Sequence, residues 1–295
     1  MAGIGTSRTG RFPCAGSPSG DPERAALNRK MGDKVAEWMQ AYPASRGARM
    51  AAALTVFEKG WIARGDAAVA KVPEEAWPVY KANVLAALQL LDAQDEATKQ
   101  DPAWITERID MAYLLEPRSA VERRLEQALA RPTDYHGIYF VGANFYLPRW
   151  GGSDADVADF MQRILGPPPL TTEPYVVYAR AGWSVSDPKM FVNHRVAWPA
   201  MKRGFEELLA NYPHPWNVNN FAHFACLAGD WETVRNLTAR IERPTTEAWQ
   251  EVSYEDCQRA GQSRRGWGML LPLAAILVLA ILMLVRAAQL RRDVG

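Results

Sequence analysis

The chain has 295 residues, 48% of them apolar and 23% charged, with a formal net charge of +1. That balance is the one expected of a globular fold, large enough for one sizeable domain or two small ones. No long basic face or stripe accompanies it, which excludes nucleic acid as a partner. Cys14, Cys226 and Cys257 lie far apart and form no CxxC pair. Their spacing predicts reduced thiols rather than a disulfide framework, and so a reducing compartment.

Residues 1–20 are rich in Gly, Ser, Arg and Pro and carry no periodic apolar positions. The predicted disordered segment extends to residue 30. An orderly helical pattern develops around Met31, which makes Met31 a candidate start. No apolar stretch followed by small residues marks a secretory signal in residues 1–30.

From 31 to about 242 the apolar residues recur at intervals of three and four, the helical period. Ala36, Trp38, Met39 and Tyr42 open the series, and Pro43 ends that helix. A second helix covers Met50 to Trp61, and a third runs from about Glu74 to Leu91, where Pro78 is tolerable only in the first turn. Short helices follow, punctuated by Asp101-Pro102 and Glu116-Pro117. The aromatic stretch Tyr135 to Tyr146 stops at Pro148-Arg149-Trp150-Gly151-Gly152, after which Ser153 and Asp156 have the spacing of a capping box. Further helices are expected near Pro174, Lys189 and Trp216, with Tyr175 to Tyr178 ambiguous between helix and strand. Residues 243–265 are polar and read as a terminal helix or a tether.

From Trp267 to Val285 there are nineteen uncharged residues, seven of them Leu, and as a helix they would be about 28 Å long. That matches the ~30 Å hydrocarbon core of a bilayer. Trp267, Leu270, Leu273, Leu277, Ile281 and Val285 are the expected anchor residues of a transmembrane helix over 266–286. A short basic tail, 287–295, follows. Arg259, Arg264 and Arg265 on one side balance Arg286, Arg291 and Arg292 on the other, so charge does not orient the span. In the absence of a signal sequence the expected topology is single-pass at the C-terminus, with the main domain cytoplasmic.

The fold class predicted is all-α, with antiparallel helix pairs over 31–242. Phe221, Ala222, Ala225, Gly229, Asp230 and Val234 fit a tetratricopeptide-like pair. Small residues there let two helices approach, and Gly229 accepts a left-handed turn. Trp61, Gly65 and Asp66 repeat the pattern weakly, without a strict 34-residue period.

Residues 131–150 (RPTDYHGIYFVGANFYLPRW) with the following GGS, 198–213 (WPAMKRGFEELLANYP), 219–230 (NNFAHFACLAGD) and 61–65 (WIARG) resemble the motifs of an uncharacterised bacterial family of tetratricopeptide-like helical proteins. The resemblance spans roughly 45–242. It implies an α-solenoid and carries no activity, substrate or catalytic residues with it.

The candidate chemistry is sparse. His223 and Cys226 stand one helical turn apart, but a structural zinc site needs four ligands. Asp154, Asp156 and Asp159 lack the glycine of a calcium loop and suit a helix first turn. No metal or cofactor is therefore expected. His136 near Asp134, Tyr139, Asn144, Arg149 and Trp150 could serve acid–base chemistry, yet no nucleophile elbow, HExxH or P-loop accompanies it. Among eleven Trp residues, Trp150, Trp183 and Trp198 are candidate binding anchors. The expected function is a membrane-tethered interaction module that binds a protein or peptide beside the bilayer. The alternative is an enzyme with its site at His136, Asp134 and Arg149.

Overall fold

The computed structural model describes residues 20–263, apart from residues 68, 114, 186 and 250. Among them are thirteen α-helices and no strand, so the all-α expectation holds. The chain divides into two compact units at Glu207 and Leu208.

In the first unit, α1 (Pro22–Ala41) starts where the Asp21 carboxylate accepts from the backbone N–H groups of Glu23 and Arg24, with Pro22 at the first helical position. This corrects the boundary drawn at residue 30. Residues 22–30 are helical, because the Asp-Pro-Glu start outweighs the polar composition that follows it. Met31 falls in mid-helix, and Asn28 and Val35 are buried. Residues 1–19 lie outside the described residues.

The second helix, α2 (Arg46–Arg64), is capped by Ser45 and stops at Gly65. It packs along α3 (Ala76–Asp92), whose core face is Tyr80, Val84, Ala87, Leu88 and Leu91. Pro78 lies in the first turn of α3, as its missing N–H requires. Then come α4 (Glu96–Lys99), α5 (Pro102–Ala112), α6 (Arg118–Leu129) and α7 (Gly137–Phe145). Every residue of α7 is buried, since α5, α6, α8 and α9 all pack against it. A 3-10 turn, Pro148–Trp150, leads to α8 (Asp154–Leu165), where Ser153 and Asp156 form the expected reciprocal cap.

Tyr175 to Tyr178 belong to α9 (Pro174–Val185). No helix starts at Lys189. The backbone there turns back on itself, with Met190 N–H donating to Asp187 O and Val196 N–H to Met190 O, and α10 (Trp198–Asn211) begins later.

The second unit pairs α11 (Pro215–Leu227) with α12 (Trp231–Thr238). Gly229 makes the turn at φ +72°, Asp230 caps α12, and Ala222, Ala225 and Val234 are fully buried. The local pair read from the sequence is thus formed. Of the two readings of the polar segment, the described part takes the helical one: Thr245 N–H and Trp249 Nε1–H donate to Asn219 Oδ1, and α13 (Tyr254–Ser263) packs on α12.

A disulfide joins Cys226 to Cys257, with their Cα atoms 5.8 Å apart. This corrects the expectation of free thiols. The two residues are 31 apart in sequence, and only the return of α13 to α11 brings them within bonding distance. The Cys226 sulfur is therefore committed, and His223 beside it is buried with Nδ1 against the Ala248 carbonyl.

Among the described residues no helix is long and apolar enough to cross a membrane. The expected anchor, Trp267 to Val285, lies outside the described residues.

Candidate binding cleft

Four helix ends of the first unit bring their aromatic residues together. Trp61 is in the last turn of α2, Trp77 and Tyr80 are in the first turns of α3, Tyr113 follows α5, and Trp150 closes the 3-10 turn after α7. The rings meet edge to face. Trp61 lies 5.5 Å from Tyr80 and 6.5 Å from Trp150 between centroids, Trp77 lies 5.9 Å from Tyr80, and Tyr113 lies 5.3 Å from Trp150. Trp61, Trp77, Tyr113 and Trp150 are each only partly buried, so the cluster reaches the surface. Tyr80 beneath them is sealed.

Arg64 lies against two rings of this cluster and is only 2% exposed. Its Cζ lies 4.8 Å from the Trp61 ring and 5.4 Å from the Trp77 ring, a cation–π arrangement on two indoles. One Nη donates to the Gly65 carbonyl at the negative end of α2, while Nε–H has no acceptor. Among the described residues no carboxylate forms an ion pair with it. Asp66, the nearest acid along the chain, is held by Arg24 at 3.1 Å, and Arg24 also binds Glu58. Burial pushes the Arg64 pKa down. Burial likewise raises Tyr80 and Tyr113, both of which also feel the Asp110 charge. Trp150 Nε1–H is a second buried donor with no acceptor.

The corner that positions Trp150 depends on its glycines. Gly151 sits at φ +86°, and a Cβ on Gly152 would fall 2.0 Å from the Tyr146 carbonyl oxygen. The chain doubles back onto the end of α7 so closely that only glycine fits. Arg118 holds the corner from outside, directing Nη1 to the Phe145 and Trp150 carbonyls.

Arg149 is exposed at the rim. Its Nη2 lies 3.5 Å from Asn144 Oδ1, and Asn144 is buried with Nδ2 donating to Phe140 O. Packing against protein lowers the Arg149 pKa despite that exposure.

The remaining sequence candidates lie elsewhere. His136 is at the opposite end of α7 from Arg149, about 13 Å of helix away, so those two do not converge. Its Nδ1 lies 3.0 Å from an Arg180 Nη, which can only donate; the imidazole must be neutral there. Burial, then the Arg180 charge, lowers the His136 pKa to about 4. Asp134 accepts from Thr171 Oγ1 at 2.7 Å and Thr172 N–H at 2.8 Å, bonds that hold its carboxyl below the usual range. Tyr139 OH sits 2.7 Å from Thr133 O and 2.5 Å from Leu170 O, stapling two loop segments, and burial raises its pKa to about 12. Trp183 stacks near Phe205, and Trp198 meets Phe191 edge to face.

Sequence reasoning found Arg149 and Trp150 but missed Arg64, Trp77, Tyr80 and Tyr113. A basic residue in a last turn reads as a partner for the helix dipole, which it partly is. The usable signal was the spacing: Trp61 and Arg64, and Trp77 and Tyr80, each stand three apart and share a helix face.

A search of known proteins finds no matching family model, no matching curated protein and no matching solved structure.

Proposed function

We propose that this chain is a membrane-tethered binding module, with a tetratricopeptide-like arrangement of helix pairs and the apolar run from Trp267 to Val285 as its anchor. The aromatic cleft of the first unit takes a protein or peptide partner. One observation carries this reading: four partly exposed rings from four separate helix ends converge on one spot. Large aromatics with an arginine beneath them are the residues that dominate binding energy at interfaces. The resemblance to a tetratricopeptide-like family adds the expectation of grooves built from stacked helix pairs. The enzyme alternative is weakened at its centre, because a histidine whose Nδ1 accepts from Arg180 and whose pKa is about 4 is a poor general base near neutrality.

Selection of a displayed peptide library against the full-length protein tests the reading. Enriched peptides should bind the Trp61→Ser and Trp77→Ser variants at least tenfold more weakly while both variants stay folded. No enrichment, or peptides indifferent to both substitutions, refutes it.

The side of the membrane is a separate matter. The Cys226–Cys257 bridge favours an oxidising compartment over the cytoplasm expected from the sequence. Alkylation of intact cells before lysis should find both sulfurs blocked; free, alkylated thiols would return the domain to the cytoplasm.

A further inference from the structure

The neighbourhood of Arg64 is short of one negative charge. Its guanidinium is buried between two indoles, offered a single carbonyl by Gly65, and left with Nε–H unpaired. A buried cation is ordinarily paired with an acid, because the unpaired charge opposes folding. The local acids do not fill that role: Asp66 is bound by Arg24, and among the described residues no ion pair joins an acid to Arg64. The indole faces and the end of α2 compensate only in part. Trp150, in ring contact with Trp61, brings a second unpaired donor into the same cluster, and Arg149 adds a cation at the rim. Two buried donors, two guanidinium groups and flat apolar walls form one set.

We propose that the cleft binds a carboxylate carried on a flat apolar group, the carboxylate receiving Arg64 Nε–H and Trp150 Nε1–H and the apolar group lying among Trp61, Trp77 and Tyr113. This rests on the binding-module reading and specifies which part of the partner enters. Both donors are closed to water in the unliganded protein, so the rings part as the acid arrives. An amide of the same shape brings no charge and leaves Arg64 uncompensated, which makes acid against amide the discriminating comparison. A free aromatic acid and the carboxyl end of a peptide offer the same chemistry, and separate probes tell them apart.

The experiment is calorimetric titration of the full-length protein, with tryptophan fluorescence in parallel. The probes are 3-phenylpropionate, 3-phenylpropionamide, and acetyl-Ala-Ala-Phe with a free or an amidated terminus. At least one acid should bind ten or more times tighter than its amide and change the tryptophan emission; the tighter acid identifies the source. Trp150→Phe, which keeps the ring and removes the N–H, should reduce the acid preference at least threefold, and Arg64→Met should abolish it. Equal binding of acid and amide, no binding of either acid up to millimolar concentration, or a preference that survives both substitutions overturns the proposal. Should Arg64→Met fail to fold, the wild-type comparison and Trp150→Phe still decide. Library peptides that need Trp61 and Trp77 yet ignore the acid–amide exchange would sink this inference and leave the binding-module reading standing.

Discussion

The two ends of α7 carry polar clusters that differ in one respect. At the N-terminal end, His136 accepts from Arg180, Asp134 accepts from Thr171 and Thr172, and the Tyr139 hydroxyl reaches two carbonyls. At the C-terminal end, Arg64 Nε–H and Trp150 Nε1–H are buried with no acceptor, and the rings around them stay partly open. A satisfied network needs nothing more than the fold it holds together. Unsatisfied buried donors cost free energy that a structural role does not repay, and they collect where a ligand completes the set. The polar residues most conspicuous in the sequence are therefore the ones with partners, and Arg64, which we propose receives the ligand, looks ordinary.

The largest effect should come from the corner that separates the two ends. In Gly152→Ala the new methyl group would sit 2.0 Å from the Tyr146 carbonyl oxygen, which is backbone and cannot swing aside. A loss of about 4 kcal/mol or more is expected, at the diagnostic end of single substitutions. Thermal melting measures it, and a wild-type midpoint would mean that the corner is not closed in solution. Trp150→Ala comes next. Its ring contacts Trp61 and Tyr113 but is partly exposed, so about 2–4 kcal/mol should be lost, somewhat under the value for a sealed tryptophan. If Trp150→Ala melts with the wild type, the ring contributes nothing to the fold and serves binding alone.

His136 sharpens the comparison from the other end through pH. Its folded-state pKa, about 4, lies below its ordinary 6.5. Between those values the unfolded chain binds the extra proton and the folded protein does not. The contribution is thus whole above about pH 6.5 and drains away as pH falls toward 4, by roughly 3 kcal/mol in all. The melting midpoint of the wild type should fall across that window, and His136→Gln should fall less steeply; burial also lowers the His223 pKa, so that histidine sustains the remaining slope. The Asp134 carboxyl, held below the usual range, is lost mainly at still lower pH. A wild-type profile no steeper than that of His136→Gln would show a solvated histidine with an ordinary pKa, and would reopen the enzyme reading.

Much of the fold was legible because helices announce themselves. The Ser153–Asp156 cap, the Pro78 position and the Gly229 turn are local devices, and each formed where its residues stood. What was missed depends on distance. The Cys226–Cys257 pair is unreadable until α13 folds back, and the aromatic cluster draws on residues from Trp61 to Trp150 that no window of sequence holds together. The Lys189 error has the opposite cause: apolar spacing near 190–196 imitates a helix, but Met190 and Val196 are joined by a turn hydrogen bond and both point into the core.

Arg149→Ala should have the smallest effect on stability and the clearest meaning. The side chain is exposed, and its contact with Asn144 Oδ1 is long at 3.5 Å. Asn144 keeps its main bond to the Phe140 carbonyl when Arg149 is removed. Exposed charges contribute about 0–1 kcal/mol, so the melting midpoint should barely move. The cation at the rim nevertheless acts on the same tyrosine as Arg64, since both lower the Tyr113 pKa against burial. Removing it should therefore weaken binding of an acidic probe several-fold while leaving its amide unaffected, and raising salt should shrink that difference as exposed electrostatics are screened. A variant that loses stability by more than about 2 kcal/mol would place Arg149 among the structural groups. The contrast between the two ends of α7 would then rest on Arg64 and Trp150 alone.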